Sequence, residues 1–395
     1  MSQTISQDRH YQGPAFWSYG FRPFFMSAGL FAGVAIPVWV LMITGTEAMV
    51  FHYAPRDWHV HEMVFGFLAS VITGFLLTAM PNWTERPPIR GLPLMLLWAI
   101  WLVGRLASTA PWFTPLVSAL MDSVFLVIVA GIVWREIFAA KAWNRLPMGV
   151  LISLFASANL LFHGLFLNHA ATDLAERMAL VLVMVLLALI GGKITPGFTE
   201  DFFIQEGVSK QPAPFSWFDG LSVLVVGLAG LAWMINLGAR VTGGAFVVAG
   251  AIHLIRLSRW YGWLTWREPL MLIMHVGYGW LAMSFLILGG AMLGFGLHVE
   301  EAVHALTTGA VGVMTLAVMT RASLGHTGRA KHAGPLTVLI YLLVNLGAML
   351  RVFGPSLTLS GDVIMVVAAG CWSGAYLLFT VGYGHILFGR SLEED

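Results

Sequence analysis

Charge is what this sequence has least of. Only 10% of its 395 residues are Asp, Glu, Lys or Arg, against about 25% in an ordinary soluble protein. With 58% hydrophobic residues and a mean hydropathy of +0.80, the chain is neither a water-soluble globular enzyme nor one held by a single anchor. The net charge is +1, so no bulk field draws nucleic acid or an acidic partner. Cysteine is almost missing. Cys371 stands alone, which excludes internal disulfides and thiolate clusters. Any metal must then be held by His, Met or carboxylate, and the sequence offers 13 His and 20 Met. Gly-rich phosphate loops, Ser/His/Asp triads and Cys-x-x-Cys pairs have no match in context. The stretch Met1 to Trp17 is polar, without the apolar core of a cleaved signal peptide. The first span is expected to act as the targeting signal.

What is present is a series of apolar runs. A membrane span needs about 20 apolar residues. Twelve runs qualify: 23–44, 58–80, 92–110, 113–134, 147–168, 174–193, 217–237, 242–260, 268–294, 299–320, 334–353 and 362–388. The fold class expected is all-α, a polytopic membrane protein with about twelve transmembrane helices. Residues 1–193 form a first six-helix half and 217–395 a second. Between them, 194–216 reads as a polar cytoplasmic linker loop carrying Pro196, Pro212 and Pro214. No convincing internal repeat accompanies this division.

Orientation follows from the bias of Lys and Arg toward the cytoplasm. With both termini inside, cytoplasmic loops and ends hold Arg9, Arg22, Arg86, Arg90, Arg135, Lys141, Arg145, Lys193, Lys210, Arg256, Arg259, Arg267, Arg321, Arg329, Lys331 and Arg390. The opposite side holds Arg56, Arg105, Arg177, Arg240 and Arg351, which makes 16 against 5. The N-in, C-in topology sorts the histidines by depth. His59, His61, His163 and His304 lie at the outer ends of spans 2, 5 and 10. His253 and His275 lie toward the cytoplasm, with His326 in the loop after span 10. The sequon Asn82-Trp83-Thr84 falls on the cytoplasmic side and is set aside.

The outer set is the more pointed. Trp58-His59-Val60-His61-Glu62-Met63 runs straight into an apolar span. Ionisable groups are costly in a membrane and mark sites there, and imidazole is a common metal ligand. Four histidines from three spans at one depth suit a transition metal with an open position for a small gas. The bland alternative is a set of interfacial histidines that snorkel or cap. On an ideal helix, residues i and i+2 point about 200° apart. His59 and His61 therefore cannot both close on one ion from a regular helix. Glu62, i+3 from His59 and i+1 from His61, should lie nearer the His59 face. It is the candidate catalytic residue, as an orienting acceptor or a proton donor.

The inner set offers cofactor-binding candidates. His253 and Arg256 share a helix face at i, i+3, and His275 precedes Gly277-Tyr278-Gly279-Trp280. Small residues beside a histidine let a flat macrocycle approach, and Arg pairs a propionate. Tyr278, Arg321 and His326 complete this group. The competing reading is that Arg256 belongs to the positive-inside band and the glycines serve helix packing. Asn159, near His163, and Thr307 and Thr308, near His304, are either supporting donors or interhelical hydrogen bonds.

These blocks together resemble the NnrS family of bacterial inner-membrane haem–copper proteins. The stretches that carry the resemblance are Phe21-Arg22-Pro23-Phe24-Phe25, His61-Glu62-Met63-Val64-Phe65-Gly66-Phe67, and Gly74 through Thr84. Gly192-Lys193-Ile194-Thr195-Pro196-Gly197-Phe198-Thr199 and His253-Leu254-Ile255-Arg256 follow. Then come Pro269-Leu270 with His275-Val276-Gly277-Tyr278, and His304 through Gly325-His326-Thr327-Gly328-Arg329. Lys193 departs from the pattern, which has Arg there; it keeps the charge but not a bidentate fork. The resemblance implies twelve spans, b-type haem, copper, and a role in handling or resisting nitric oxide. The function expected is reduction of nitric oxide to nitrous oxide, with a quinol or a cytochrome as electron donor. The alternatives are a non-catalytic sensor or buffer of nitric oxide, and a twelve-span transporter.

Overall fold

The computed structural model describes residues 11–45, 52–356 and 361–392. Arg9, counted above among the orienting charges, and the first ten residues of the polar N-terminal stretch lie outside these. Twelve helices are long and apolar enough to cross a membrane. They are α1 (Phe21–Ile43), α2 (Pro55–Thr84), α3 (Leu92–Thr109), α4 (Pro115–Ala139), α5 (Trp143–Leu167) and α6 (Asp173–Gln205). The rest are α7 (Trp217–Met234), α8 (Ala239–Ser258), α9 (Pro269–Met292), α10 (Val299–Gly325), α11 (Pro335–Ser356) and α12 (Gly361–Phe388). No strand occurs among the described residues. In a hydrocarbon solvent every backbone polar group must be satisfied within its own segment, and an all-helical chain meets that demand.

Hydropathy misplaces one boundary. The polar segment after residue 193 is not loop at its start, because α6 continues to Gln205 through Pro196. Proline removes the N–H that would bond the carbonyl four residues back, here that of Gly192. Arg256 Nη2 donates to that carbonyl instead, at 3.3 Å. Three spans also contain π-helical stretches: Glu62–Leu68 in α2, Leu187–Gly191 in α6 and Ala305–Val311 in α10. Such bulges shift the register of side chains along a helix and recur at functional sites.

The chain divides into two compact units. One comprises Met1–Ala179, Ala322–Ala330 and Phe379–Asp395; the other comprises Leu180–Arg321 and Lys331–Leu378. In the first, α1 lies close against α2. A Cβ at Gly74 would come within 2.9 Å of the Phe25 ring, so glycine permits the approach. Ser70 Oγ donates to the Phe24 carbonyl at 2.9 Å, and Phe21 N–H donates to Thr78 Oγ1 at 3.1 Å. Arg22, buried at 1% exposure, serves the last helix. Its Nη1 donates to the carbonyls of Ile386 (3.3 Å), Leu387 (2.9 Å) and Gly389 (2.6 Å), and its Nη2 to Ser391 Oγ (3.1 Å). The final carbonyls of a helix have no partner within it, and a cation there also meets the negative end of the macrodipole. In the second unit, Gly243 and Gly289 bring α8 and α9 together, the small-residue packing common between membrane helices.

Arg22→Ala should therefore lower stability by about 3 kcal/mol, the scale of losing charged hydrogen bonds while leaving buried carbonyls unsatisfied. The drop would appear in thermal unfolding of the detergent-purified protein. An unchanged transition would contradict the assignment of Arg22 as the cap of α12.

Candidate functional site

In the first unit, five segments converge on a polar cluster. His61 and Glu62 come from α2, Arg105 from α3, Asp122 from α4, Asn159 and His163 from α5, and Tyr53 from the loop before α2. All are 5% exposed or less. Arg105 sits between the two carboxylates. Its Nη1 donates to Glu62 Oε2 at 2.7 Å and its Nη2 pairs with Asp122 Oδ1. The close approach depends on glycines. A Cβ at Gly66 would crowd the Arg105 guanidinium, and one at Gly104 would come within 3.2 Å of Asp122. Trp101 Nε1 donates to the Gly66 carbonyl, within the π stretch, at 3.0 Å.

The two imidazoles are held alike. His61 Nδ1 is 2.9 Å from Glu62 Oε1, and His163 Nδ1 is 2.9 Å from Tyr53 Oη. Both Nε2 atoms turn to Asp122 Oδ2, at 3.2 Å for His61 and 2.8 Å for His163. Asn159 Nδ2 donates to that same oxygen at 2.8 Å, which turns its Oδ1 to within 3.2 Å of His61 Nε2. Burial, with the Glu62 charge adding to it, pushes the Tyr53 phenol above its ordinary range, so it stays neutral.

The donor set can be tested for a metal directly. A neutral His61 that gives its one N–H to the Glu62 carboxylate presents a bare lone pair at Nε2. That lone pair faces two acceptor oxygens, those of Asn159 and Asp122. Acceptors converge in this way where a cation is held between them, or where the imidazole is protonated. Charge gives the same result: Glu62 and Asp122 set against Arg105 leave one negative charge in excess, and a buried charge must be compensated. Ligand atoms of His61, Asp122 and His163 lie within 4.8 Å of one another, and the group could hold a metal ion. Two imidazoles and a carboxylate, each oriented by a further hydrogen bond, suit a divalent first-row metal.

Of the outer histidines expected from sequence, His61 and His163 meet here. His59 does not join them, since its ring stacks on Trp39 with centroids 4.3 Å apart. Helix α2 begins at Pro55, so both histidines are helical and diverge. Glu62 reaches His61 and not the His59 face, because its carboxylate is drawn to the Nδ1 of its neighbour and to Arg105. His304 belongs to the other unit, where its Nδ1 is 2.6 Å from the Glu300 carbonyl. Thr307 and Thr308 bond carbonyls one turn back on their own helix. Asp122, Arg105 and Tyr53 escaped the sequence reading. The carboxylate in the apolar run of α4, far from Glu136 at the helix end, is the signal for Asp122; Arg105 counts among the loop charges, and Tyr53 carries no signal.

The inner candidates separate into two kinds. His253, Arg256 and Tyr278 form a closed network with Asp219. Arg256 Nε donates to Asp219 Oδ1 at 2.8 Å, and its Nη1 to Tyr278 Oη at 2.8 Å and to the Ala188 carbonyl at 2.7 Å. Ala188 lies in the π stretch of α6. Tyr278 Oη donates onward to His253 Nδ1 at 2.8 Å, while His253 Nε2 donates to the Ser222 carbonyl at 3.1 Å. Both ring nitrogens of His253 are therefore engaged with protein partners, and the guanidinium is held on all three nitrogens. These residues do not fit a haem ligand or a propionate clamp. His275 differs: its Nε2 is 2.9 Å from Thr199 Oγ1, but its buried Nδ1 has no hydrogen-bond partner. Arg321 stacks over the Phe198 ring at 4.2 Å. His326 lies in the first unit, against the rings of Tyr19 and Phe21.

Fold and site together define a multi-pass membrane protein with a buried group able to hold a metal. The NnrS protein family matches residues 15–390. The chain belongs to the NnrS family, membrane proteins linked to the nitric oxide response. Among curated proteins none matches it.

Asp219→Ala would leave the Arg256 guanidinium buried without its carboxylate. Breaking one side of such a pair costs about 3–5 kcal/mol, to be read as a lowered unfolding temperature in detergent. Wild-type stability in this variant would contradict the closed-network reading.

Proposed function

We propose that the protein handles nitric oxide at a metal held by His61, Asp122 and His163, and that it reduces nitric oxide to nitrous oxide as protection against nitrosative stress. The observation that carries the reading is the convergence of acceptors on His61 Nε2 within a buried, negatively charged group of an NnrS-family protein. Copper, which the family resemblance implies, is accepted by imidazole and carboxylate donors in its divalent state, and bound there it would supply a redox-active coordination position. Haem b, the other implied cofactor, would bring electrons. The proposed reaction takes two NO, two electrons and two protons to one N2O and one water.

The chain's own residues supply the surroundings. Arg105 fixes both carboxylates, leaving Asp122 Oδ2 as a third donor beside the two imidazoles. Glu62 and Tyr53 hold the rings through their Nδ1 atoms. Glu62 accepts the His61 Nδ1–H, which leaves Nε2 as the donor toward the metal. The Tyr53 ring covers the site, stacked on His61 at 5.5 Å and packed on Phe166 at 4.4 Å. Phe166 also lines a cavity of about 410 Å³ shared with Arg56, Asp57, His169, Thr172 and Asp173. With both termini in the cytoplasm of a bacterial inner membrane, this end of α2 to α5 faces outward.

Purified protein given a reductant and nitric oxide without oxygen should form nitrous oxide. His61→Ala, His163→Ala and Asp122→Asn should each bind the metal more weakly and slow nitrous oxide formation toward the rate of a metal-free control. Nitrous oxide formation that survives loss of the metal would contradict the assignment. Binding without turnover in the wild type would reduce the function to sensing or buffering nitric oxide.

A further inference from the structure

In the first unit, α2 and α4 finish where α5 begins, at the end of these helices away from the metal group. Glu136, in the last turn of α4 and buried, is shared there by two guanidinia. Arg86, just past α2, donates from Nε to its Oε2 at 2.5 Å. Arg135 donates from Nε and Nη2 to its Oε1 at 2.9 and 2.6 Å. One carboxylate neutralises only one of them. Arg145, in the first turn of α5, stands over the Trp83 ring at 5.1 Å. Its Nε is buried and has no hydrogen-bond partner, and among the described residues its guanidinium meets no carboxylate. With Lys141 in the connection and Glu85 at the end of α2, four cations face two carboxylates, so two positive charges are left over.

An aromatic shelf adjoins these charges. Trp134 stacks on Phe138 with centroids 5.3 Å apart, and Phe138 meets Trp143 edge-on at 5.9 Å. The shelf is fixed to α5, because Trp134 Nε1 donates to Ser153 Oγ at 2.8 Å and a Cβ at Gly149 would come within 3.0 Å of the Trp134 ring. Phe138 and Trp143 are each more than half exposed, and Val150 and Leu154 continue an exposed apolar face along α5. Exposed aromatic rings at span ends sit at the level of lipid headgroups, with the apolar face below them against the acyl chains. A guanidinium has five N–H donors and keeps its charge. At that depth the anion within reach of the surplus charge is a phospholipid phosphate, and basic pockets between membrane helices bind such headgroups. Arg267 in the second unit offers a contrast: it stands over Trp266 at 5.1 Å but is exposed and, among the described residues, shares no carboxylate.

We propose that Arg86, Arg135 and Arg145 bind the headgroup phosphate of an anionic phospholipid, whose acyl chains run down the face begun by Phe138 and Trp143. Glu136 positions Arg86 and Arg135 and leaves their other N–H groups for the phosphate. Arg145 completes the set, its plane held by Trp83. Planar guanidinia match phosphate oxygens in pairs, and a zwitterionic headgroup brings no net charge to answer the two in excess. The site is independent of the metal group and of what the chain does with nitric oxide.

The test titrates the full-length protein in detergent with phosphatidylglycerol or phosphatidylethanolamine of identical acyl chains, and reads bound lipid by native mass spectrometry. Wild type should bind the first phosphatidylglycerol at least about tenfold more tightly, the scale of two basic side chains at an anionic surface. Arg145→Gln should lower that preference about fivefold, the share of one such side chain, and Arg145→Lys should keep most of it. Arg267→Gln should leave it unchanged. Equal binding of the two lipids by the wild type overturns the proposal, and this comparison decides even where Arg145→Gln fails to fold. So does a loss in Arg267→Gln as large as in Arg145→Gln, which would reduce the effect to a general basic band, or a preference undiminished in Arg145→Gln. Displacement of the lipid by an equal concentration of inorganic phosphate would also overturn it, since the occupant would then be the free anion.

Discussion

Arg105 bridges two buried carboxylates, Glu62 and Asp122, and the geometry of the candidate metal centre follows from that bridge. A guanidinium inside a membrane protein is tolerable only when its donors are satisfied, whether by carbonyls or by carboxylates. One that holds two carboxylates fixes both and leaves a negative charge over. Glu62 then uses its remaining oxygen to orient His61, and Asp122 turns its free oxygen to both imidazoles. Helix α2 accommodates this with a π stretch beginning at Glu62, and with Gly66 where the guanidinium passes. The constraint thus runs from one arginine, through backbone irregularity, to the placement of three donor atoms.

Arg256 answers the same constraint in a different way. Asp219 neutralises it, and its remaining hydrogen bonds go to Tyr278 and to carbonyls that the π stretch and Pro196 leave open in α6. Its buried charge is balanced by Asp219, which the partly exposed Arg259 also approaches at 3.5 Å, and no nitrogen of His253 is spare. Such a network stabilises a helix junction and offers nothing to a ligand. Two buried arginine clusters of similar composition therefore differ in what they can do, and the difference lies in their charge balance and unfilled valences.

Much of the fold was legible. Twelve apolar runs correspond to twelve helices because hydrocarbon imposes length and composition on any span. The end of α6 was not, since the partner that rescues Pro196 comes from a helix some sixty residues away in sequence. For the site, depth could be read and lateral position could not. Depth placed His61 and His163 at one level, and His59 and His304 with them. Which side of a helix faces which neighbour depends on packing, and there His59 turned to Trp39. Asp122 was readable in principle, as a carboxylate within the apolar run of α4, away from Glu136 at its end. Tyr53 was not, for nothing in its loop sequence marks a residue that will reach His163.

The central claim is that His61, His163 and Asp122 hold one metal ion. Pulsed electron paramagnetic resonance of the protein loaded with one equivalent of Cu(II) tests it most directly, because the remote nitrogen of each ligating imidazole modulates the echo. The account predicts modulation from two imidazoles in the wild type, one in either His61→Ala or His163→Ala, and two with an altered ligand field in Asp122→Asn. Modulation unchanged by either histidine substitution would place the copper elsewhere and contradict the account.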